Sequence, residues 1–196
     1  MSELWLIRHG ETEWSRSGQH TGVTDIPLTA AGEQQALALG QFLEGREFSH
    51  VLVSPLDRAR RTCELAGLGA AAQVDPDLHE WKYGEYEGHT SQQIRASRPN
   101  WNIWEHGVVG GETIEQVAAR ARAAMERAAA LTQETPDANV ALFAHGHLLR
   151  ILATCWLELH PSAARQFLLG TATVSVLGYE HATRAIRLWN WCQRAP

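Results

Sequence analysis

Glu3-Leu4-Trp5-Leu6-Ile7-Arg8-His9-Gly10 reads as a short apolar run that suits a buried strand, and the glycine after His9 permits a sharp change of direction. The pattern returns at Asn139 to Ala144, an apolar run that stops at His145-Gly146-His147. Outward from these two strand ends, strand and helix signals alternate. Thr29 is placed to cap a helix from about Ala30 to Glu44, with Leu37, Leu39, Phe42 and Leu43 as its apolar face and Gly45 at its end. His50-Val51-Leu52-Val53 is a further strand. Ser54-Pro55 then supplies an N-cap and a first-turn proline for a helix running to about Ala66. A short strand is expected at Ala72 to Val74, a short helix at Ser91 to Ser97, and an Ala-rich helix from about Glu112 to Thr132. Leu148 to Leu157 is helical, and Thr173 to Glu180 with Arg184 to Trp191 form a terminal hairpin. This order predicts an α/β fold: three layers, α/β/α, around a mostly parallel sheet with right-handed crossovers. Residues 1–196 are expected to form a single domain, with an excursion at about 75–111 rich in Gly, Pro and aromatic residues. Irregular segments of that length are commonly lids or binding loops.

Composition bounds the function. With 44% hydrophobic and 20% charged residues in 196, the chain is neither disordered nor collagen-like. A formal net charge of -5 argues against nucleic acid as a partner, because phosphate backbones recruit clustered positive charge. The first apolar run is too short for a signal-peptide core and has no basic residues ahead of it, and no segment reaches the length of a membrane span. A cytoplasmic protein with no membrane partner is expected. Cys63, Cys155 and Cys192 are widely separated and form no C-x-x-C pair, so reduced, buried thiols are expected.

In a parallel sheet the loops at the carboxyl ends of the strands converge on one crevice. Two strands deliver a histidine there, His9 and His145. A lone histidine beside an apolar run is more often a satisfied core residue than a catalyst, but two at equivalent strand ends change that balance. Between them, Arg58, Arg60 and Arg61 stand in the first turns of a helix, where the macrodipole disfavours positive charge unless an anion lies near. Arg58 is expected to point inward and Arg60 or Arg61 to be solvated.

Four stretches together resemble the ordered motifs of the histidine phosphatase superfamily, which contains the cofactor-dependent phosphoglycerate mutases. They are Arg8-His9-Gly10-Glu11-Thr12, Ser54-Pro55-Leu56-Asp57-Arg58-Ala59, Glu80 within Leu78 to Gly88, and Ala144-His145-Gly146. The resemblance covers nearly the whole chain and implies a phosphoglycerate mutase-like fold. It implies that His9 attacks phosphorus through one ring nitrogen to give a phosphohistidine, the other nitrogen being tied to a backbone carbonyl. It further implies that Arg8, Arg58, His145 and the backbone amide of Gly146 surround the phosphoryl oxygens. Glu80 would protonate the departing alkoxide and then deprotonate water. No metal or other cofactor is needed if side chains supply the positive charge.

Hydrolysis is favoured over mutase chemistry because no Lys or Arg occurs from Pro99 through Ala119, where a mutase benefits from extra cations, and because Ser15 stands where mutases usually have asparagine. The Glu80 to Gly88 and Trp101 to Trp104 stretches look more like the sugar-bisphosphatase branch that includes fungal sedoheptulose-1,7-bisphosphatase. The expected partner is a small phosphorylated metabolite, hydrolysed as a sugar phosphate or bisphosphate. Ser15, Gln19, His20, Thr21 and Gly22 are candidates for binding its hydroxyls or phosphate, and Arg16, Lys82 and Tyr83 for a second phosphate. Trp101 and Trp104 are read as packing of the lid. His145-x-His147 lacks a third ligand at metal spacing, and Gly107 to Gly111 is read as a hinge. The alternatives are a phosphoglycerate mutase and a catalytically silent phosphate-binding module. The free edge of the terminal hairpin permits a homodimer without requiring one.

Overall fold

Strand β1 (Leu4–Arg8) shows why the first apolar run is continuous rather than alternating. Leu4 and Leu6 join one buried cluster and Trp5 and Ile7 another, so both faces of the strand are covered. The computed structural model describes residues 2–134 and 139–192; residues 1, 135–138 and 193–196 of the expected single domain lie outside them. After β1 come α1 (Glu13–Ser17), α2 (Ala30–Leu43), β2 (Phe48–Val53), α3 (Asp57–Leu65) and β3 (Ala72–Val74). The excursion carries short 3-10 turns with α4 (Ser91–Ser97) and α5 (Ile103–His106). Then follow α6 (Ile114–Glu134), β4 (Asn139–Ala144), α7 (Gly146–Trp156), β5 (Val174–Glu180) and β6 (Thr183–Trp191).

The six strands lie in the order β3-β2-β4-β1-β5-β6. The first four are mutually parallel, β5 runs antiparallel to β1, and β6 returns antiparallel to β5 as the terminal hairpin. On one face, α2 and α3 bury Leu39, Leu43, Ala59 and Cys63 against Val51, Val53 and Phe143. On the other, α6 and α7 pack with the excursion, whose Trp81 and Trp101 are buried in the same cluster as Leu142 and Leu149. Residues 75–111 thus form part of the core as well as a rim. Among the described residues no helix is long and apolar enough to cross a membrane.

Several expectations are corrected. Helix α3 starts at Asp57 with Leu56 as an N-cap that makes no side-chain bond; Ser54 lies too far back to cap it. The buried positions of α2 are Gly32, Ala36, Leu39 and Leu43, spaced by three and four residues, which leaves Leu37 exposed on another face. Cys63 and Cys155 are buried free thiols, but Cys192, just past the last strand, is exposed. Within the segment read as a hinge, Gly107 and Gly110 have positive φ and open space around them, but Gly111 is tightly packed. A Cβ on Gly111 would stand 2.0 Å from the Lys82 carbonyl oxygen, so the glycine is there to let two backbones touch.

Candidate active site

Register brings the two histidines together. Arg8 of β1 pairs with Ala144 of β4, so the residues that follow, His9 and His145, leave the sheet side by side with ring centroids 5.2 Å apart. On the other flank of β4, Val53 pairs with Phe143, which sets Ser54 beside His145 at 2.7 Å from Oγ to Nε2. The segment after β3 then carries Glu80 to the N-terminus of α7.

His9 Nδ1 lies 2.7 Å from the Gly10 carbonyl oxygen. A carbonyl only accepts, so Nδ1 carries the hydrogen and Nε2 keeps its lone pair. Burial, followed by the charges of Arg58 and Arg8, holds His9 well below the usual histidine value, so the ring is neutral. Arg8 donates Nη1–H to the Leu169 carbonyl, while its buried Nε–H has no partner among the described residues. Glu80 is buried and accepts three backbone N–H groups: Trp81 and Leu148 on Oε1, at 2.9 and 3.0 Å, and His147 on Oε2, at 3.0 Å.

These groups border a cavity of about 190 Å³ lined by residues that include Arg8, His9, Glu80, Tyr83 and Gly146. Its size is below the roughly 300–1,000 Å³ of sites for drug-sized ligands. Gly146 stands close to the Arg8 guanidinium; a Cβ there would lie 3.3 Å from Cζ.

Arg58 points inward as expected, with a side chain that is fully buried, whereas Arg60 and Arg61 are half-exposed and paired with Asp57 and Glu33. Arg58 does not line the cavity, however. Its Nη groups donate to the carbonyls of Thr21, Gly22 and Thr24, and its Nε–H donates to His145 Nδ1 at 3.2 Å. His145 therefore accepts at Nδ1 and, being neutral through burial, donates Nε2–H to Ser54 Oγ. Neither Arg58 nor His145 is among the residues lining the cavity, but the His145 ring lies against His9 and the Arg58 charge acts on His9.

The expected substrate loop divides. Ser15, Gln19, His20 and Thr21 all line the cavity, but the hydroxyl of Ser15 closes a capping box with Thr12, and the Gln19 amide is spent on Gly88 and Ser17. Gly22 lies outside the cavity; its N–H donates to Glu87 and its carbonyl accepts from Arg58. Lys82 is exposed and does not reach the cavity, because it alternates with Trp81 and Tyr83, which face inward. Arg16 pairs with Glu13 in the solvent. His20 packs against Tyr83 and Trp101, and burial lowers it to about 4.

Sequence reasoning missed Gly18, His147, Arg150 and Leu169, all of which line the cavity. Arg150 had a legible signal: it is the one charged residue of α7 and follows Gly146 by four positions, on the same helical face. Its Nε–H donates to the Ala164 carbonyl, its guanidinium covers the Trp104 ring at 4.6 Å, and burial lowers it to about 10, which leaves it cationic at neutral pH. Leu169 had no such signal. Among the described residues no three His, Cys, Asp or Glu side chains gather as metal ligands.

A sequence model of the histidine phosphatase superfamily (branch 1) matches residues 4–192. An acid phosphatase of Mycobacterium tuberculosis is 41% identical over 186 residues, which cover 93% of this chain and 89% of that protein. The sedoheptulose 1,7-bisphosphatase of Saccharomyces cerevisiae is 38% identical over 181 residues, or 79% of this chain and 67% of the relative. A solved structure of an open reading frame product from Mycobacterium tuberculosis superposes with a TM-score of 0.90 at 38% identity, covering 97% of this chain and 98% of that one.

Proposed function

The chain belongs to the histidine phosphatase superfamily and is a phosphomonoesterase, and we propose that it works through a phosphohistidine at His9 on small sugar phosphates or bisphosphates. The observation that carries this reading is the pairing of a neutral His9, its Nδ1–H tied to Gly10, with a buried Arg8 Nε–H that has no protein acceptor. A phosphoryl oxygen supplies that acceptor while Nε2 attacks phosphorus.

In the first step the Nε2–P bond forms, the ester P–O bond breaks, and Glu80 in its protonated form gives its hydrogen to the leaving oxygen. In the second, Glu80 takes a proton from water, the hydroxide oxygen bonds to phosphorus, and the pair of the Nε2–P bond returns to His9. The Gly146 N–H at the start of α7, the two following amides being held by Glu80, adds positive potential at the same place. Arg58 contributes its charge beside His9, and the Ser54–His145–Arg58 chain holds the ring of His145 against His9.

The name of the yeast relative, a sedoheptulose 1,7-bisphosphatase, supports sugar phosphates as the substrate class. Arg150 supports a second anionic group, since its Nη groups make no hydrogen bond among the described residues. The cation that the lid lacks between Pro99 and Ala119 thus comes from α7. Buried free thiols at Cys63 and Cys155, both raised by burial, suit a reducing, cytoplasmic setting. Phosphate release from a panel of phosphorylated sugars in the presence of a chelator tests the reading. His9→Ala is expected to abolish turnover and the acid-labile phosphoenzyme; full activity in that variant refutes the assignment.

A further inference from the structure

Tyr83 and His147 are joined at the cavity wall, with Tyr83 Oη 2.5 Å from His147 Nδ1. The Tyr83 hydroxyl has no other acceptor among the described residues, so Nδ1 is the protein atom that takes its hydrogen. Burial holds the phenol well above its ordinary value, and burial with Arg150, His20 and Arg8 nearby holds the imidazole well below 6.5. Both groups are neutral. A neutral imidazole that accepts at Nδ1 carries its own hydrogen on Nε2.

That Nε2–H makes no hydrogen bond among the described residues, and His147 lines the cavity. The ring is packed on three sides, its centroid lying 4.9 Å from Trp104, 5.7 Å from Tyr83 and 6.0 Å from His20. Its backbone N–H holds Glu80 Oε2, and both residues line the cavity. Resting on the phosphomonoesterase reading, we propose that His147 determines specificity by presenting Nε2–H to an oxygen on the alcohol portion of the substrate, and that Tyr83 is the positioning residue that fixes this tautomer.

The test compares kcat/KM for sedoheptulose 1,7-bisphosphate with that for phenyl phosphate, whose alcohol portion carries no oxygen beyond the ester. In Tyr83→Phe the ratio of the two is expected to fall about tenfold, the worth of one hydrogen bond. In His147→Leu it falls about a hundredfold, and His147→Gln, which restores an N–H donor, recovers most of it. Equal losses on both esters, as a merely structural role gives, overturn the proposal, and so does a wild-type enzyme with no preference for the sugar ester. Nitrogen-15 spectra of the wild-type histidines give an answer that does not depend on any variant folding. Protonation at Nε2 of His147 is expected, and protonation at Nδ1 overturns the proposal. An enzyme that releases phosphate from neither ester defeats the phosphomonoesterase reading, and the spectra then still decide the Tyr83–His147 arrangement.

Discussion

Glu80 combines two demands in one side chain. As a carboxylate it has about four acceptor sites, and three backbone N–H groups occupy all but one of them. The remaining site on Oε2 is where a proton is held or released. The same three bonds tie the excursion to the first turn of α7, so the residue is a structural cap as well as the proposed acid and base. Glu80→Gln separates the two. An amide turns two acceptor sites into donors and sets its NH2 against a backbone N–H, leaving buried donors unsatisfied at a cost of about 1–3 kcal/mol. Urea unfolding is expected to show that loss together with a drop of about a hundredfold or more in kcat; unchanged stability argues that the three backbone bonds are not real constraints.

At the scale of elements, Glu80 is held from behind by α6. Arg120, largely buried on that helix, donates to the carbonyls of Asp77, His79 and Glu80 and pairs with Glu112 at 2.9 Å. Glu112 in turn accepts the Lys82 N–H on its carboxylate and the Trp81 Nε1–H on its backbone carbonyl. Burial pushes the Glu112 carboxyl up, but His79 Nε2 at 3.7 Å, the Arg120 guanidinium and the Lys82 N–H overcome it and hold the group well below the usual carboxylate range. Arg120→Met removes the cation, leaves three carbonyls without their donor and leaves the Glu112 carboxylate without its charged partner. It is expected to lower stability by roughly 3–5 kcal/mol, and to reduce kcat even where the protein is folded, because Glu80 loses its support. Full activity at normal stability would show that the clamp does not position Glu80. Nothing local in the sequence marked this clamp: the partners of Arg120 lie about forty residues back in the chain. Helix α3 teaches the converse. Ser54-Pro55 has the local chemistry of a cap, yet the helix starts later, at Asp57, and the Ser54 hydroxyl accepts from the buried His145 Nε2–H and from the Leu56 N–H.

For the whole molecule, the gathering of neutral histidines at one end of the sheet sets its response to acid. His9, His145, His147 and His20 are all lowered, each by burial first. Below the unfolded value of 6.5, the unfolded chain binds protons that the folded one refuses, so stability rises with pH through this range. The contribution is complete above 6.5 and is lost as pH falls toward the folded values. For His20, at about 4, it amounts to at most about 3 kcal/mol. The melting temperature is expected to be flat from pH 8 to 6.5 and to fall steadily toward pH 4; a curve that stays level to pH 4 contradicts the burial of these rings.

The strands, the helices and the two strand-end histidines were legible because they depend on neighbours in sequence: apolar runs, glycines after strands, and the three-and-four spacing of buried helical positions. Which side chains face the cavity was not. His147 and Arg150 enter it because α7 begins at its rim, and Leu169 because the segment before β5 folds back to accept Arg8. Lys82 and Gly22 fall outside it, and Arg58 and His145 are held by carbonyls and a hydroxyl supplied from other loops. Periodicity and turn chemistry act over a few residues, so the chain by itself determined its layers and the end of the sheet where chemistry resides. Hydrogen-bond partners for buried polar groups are chosen among everything that packs nearby, so only the tertiary structure decided which of those groups remain free to meet a substrate.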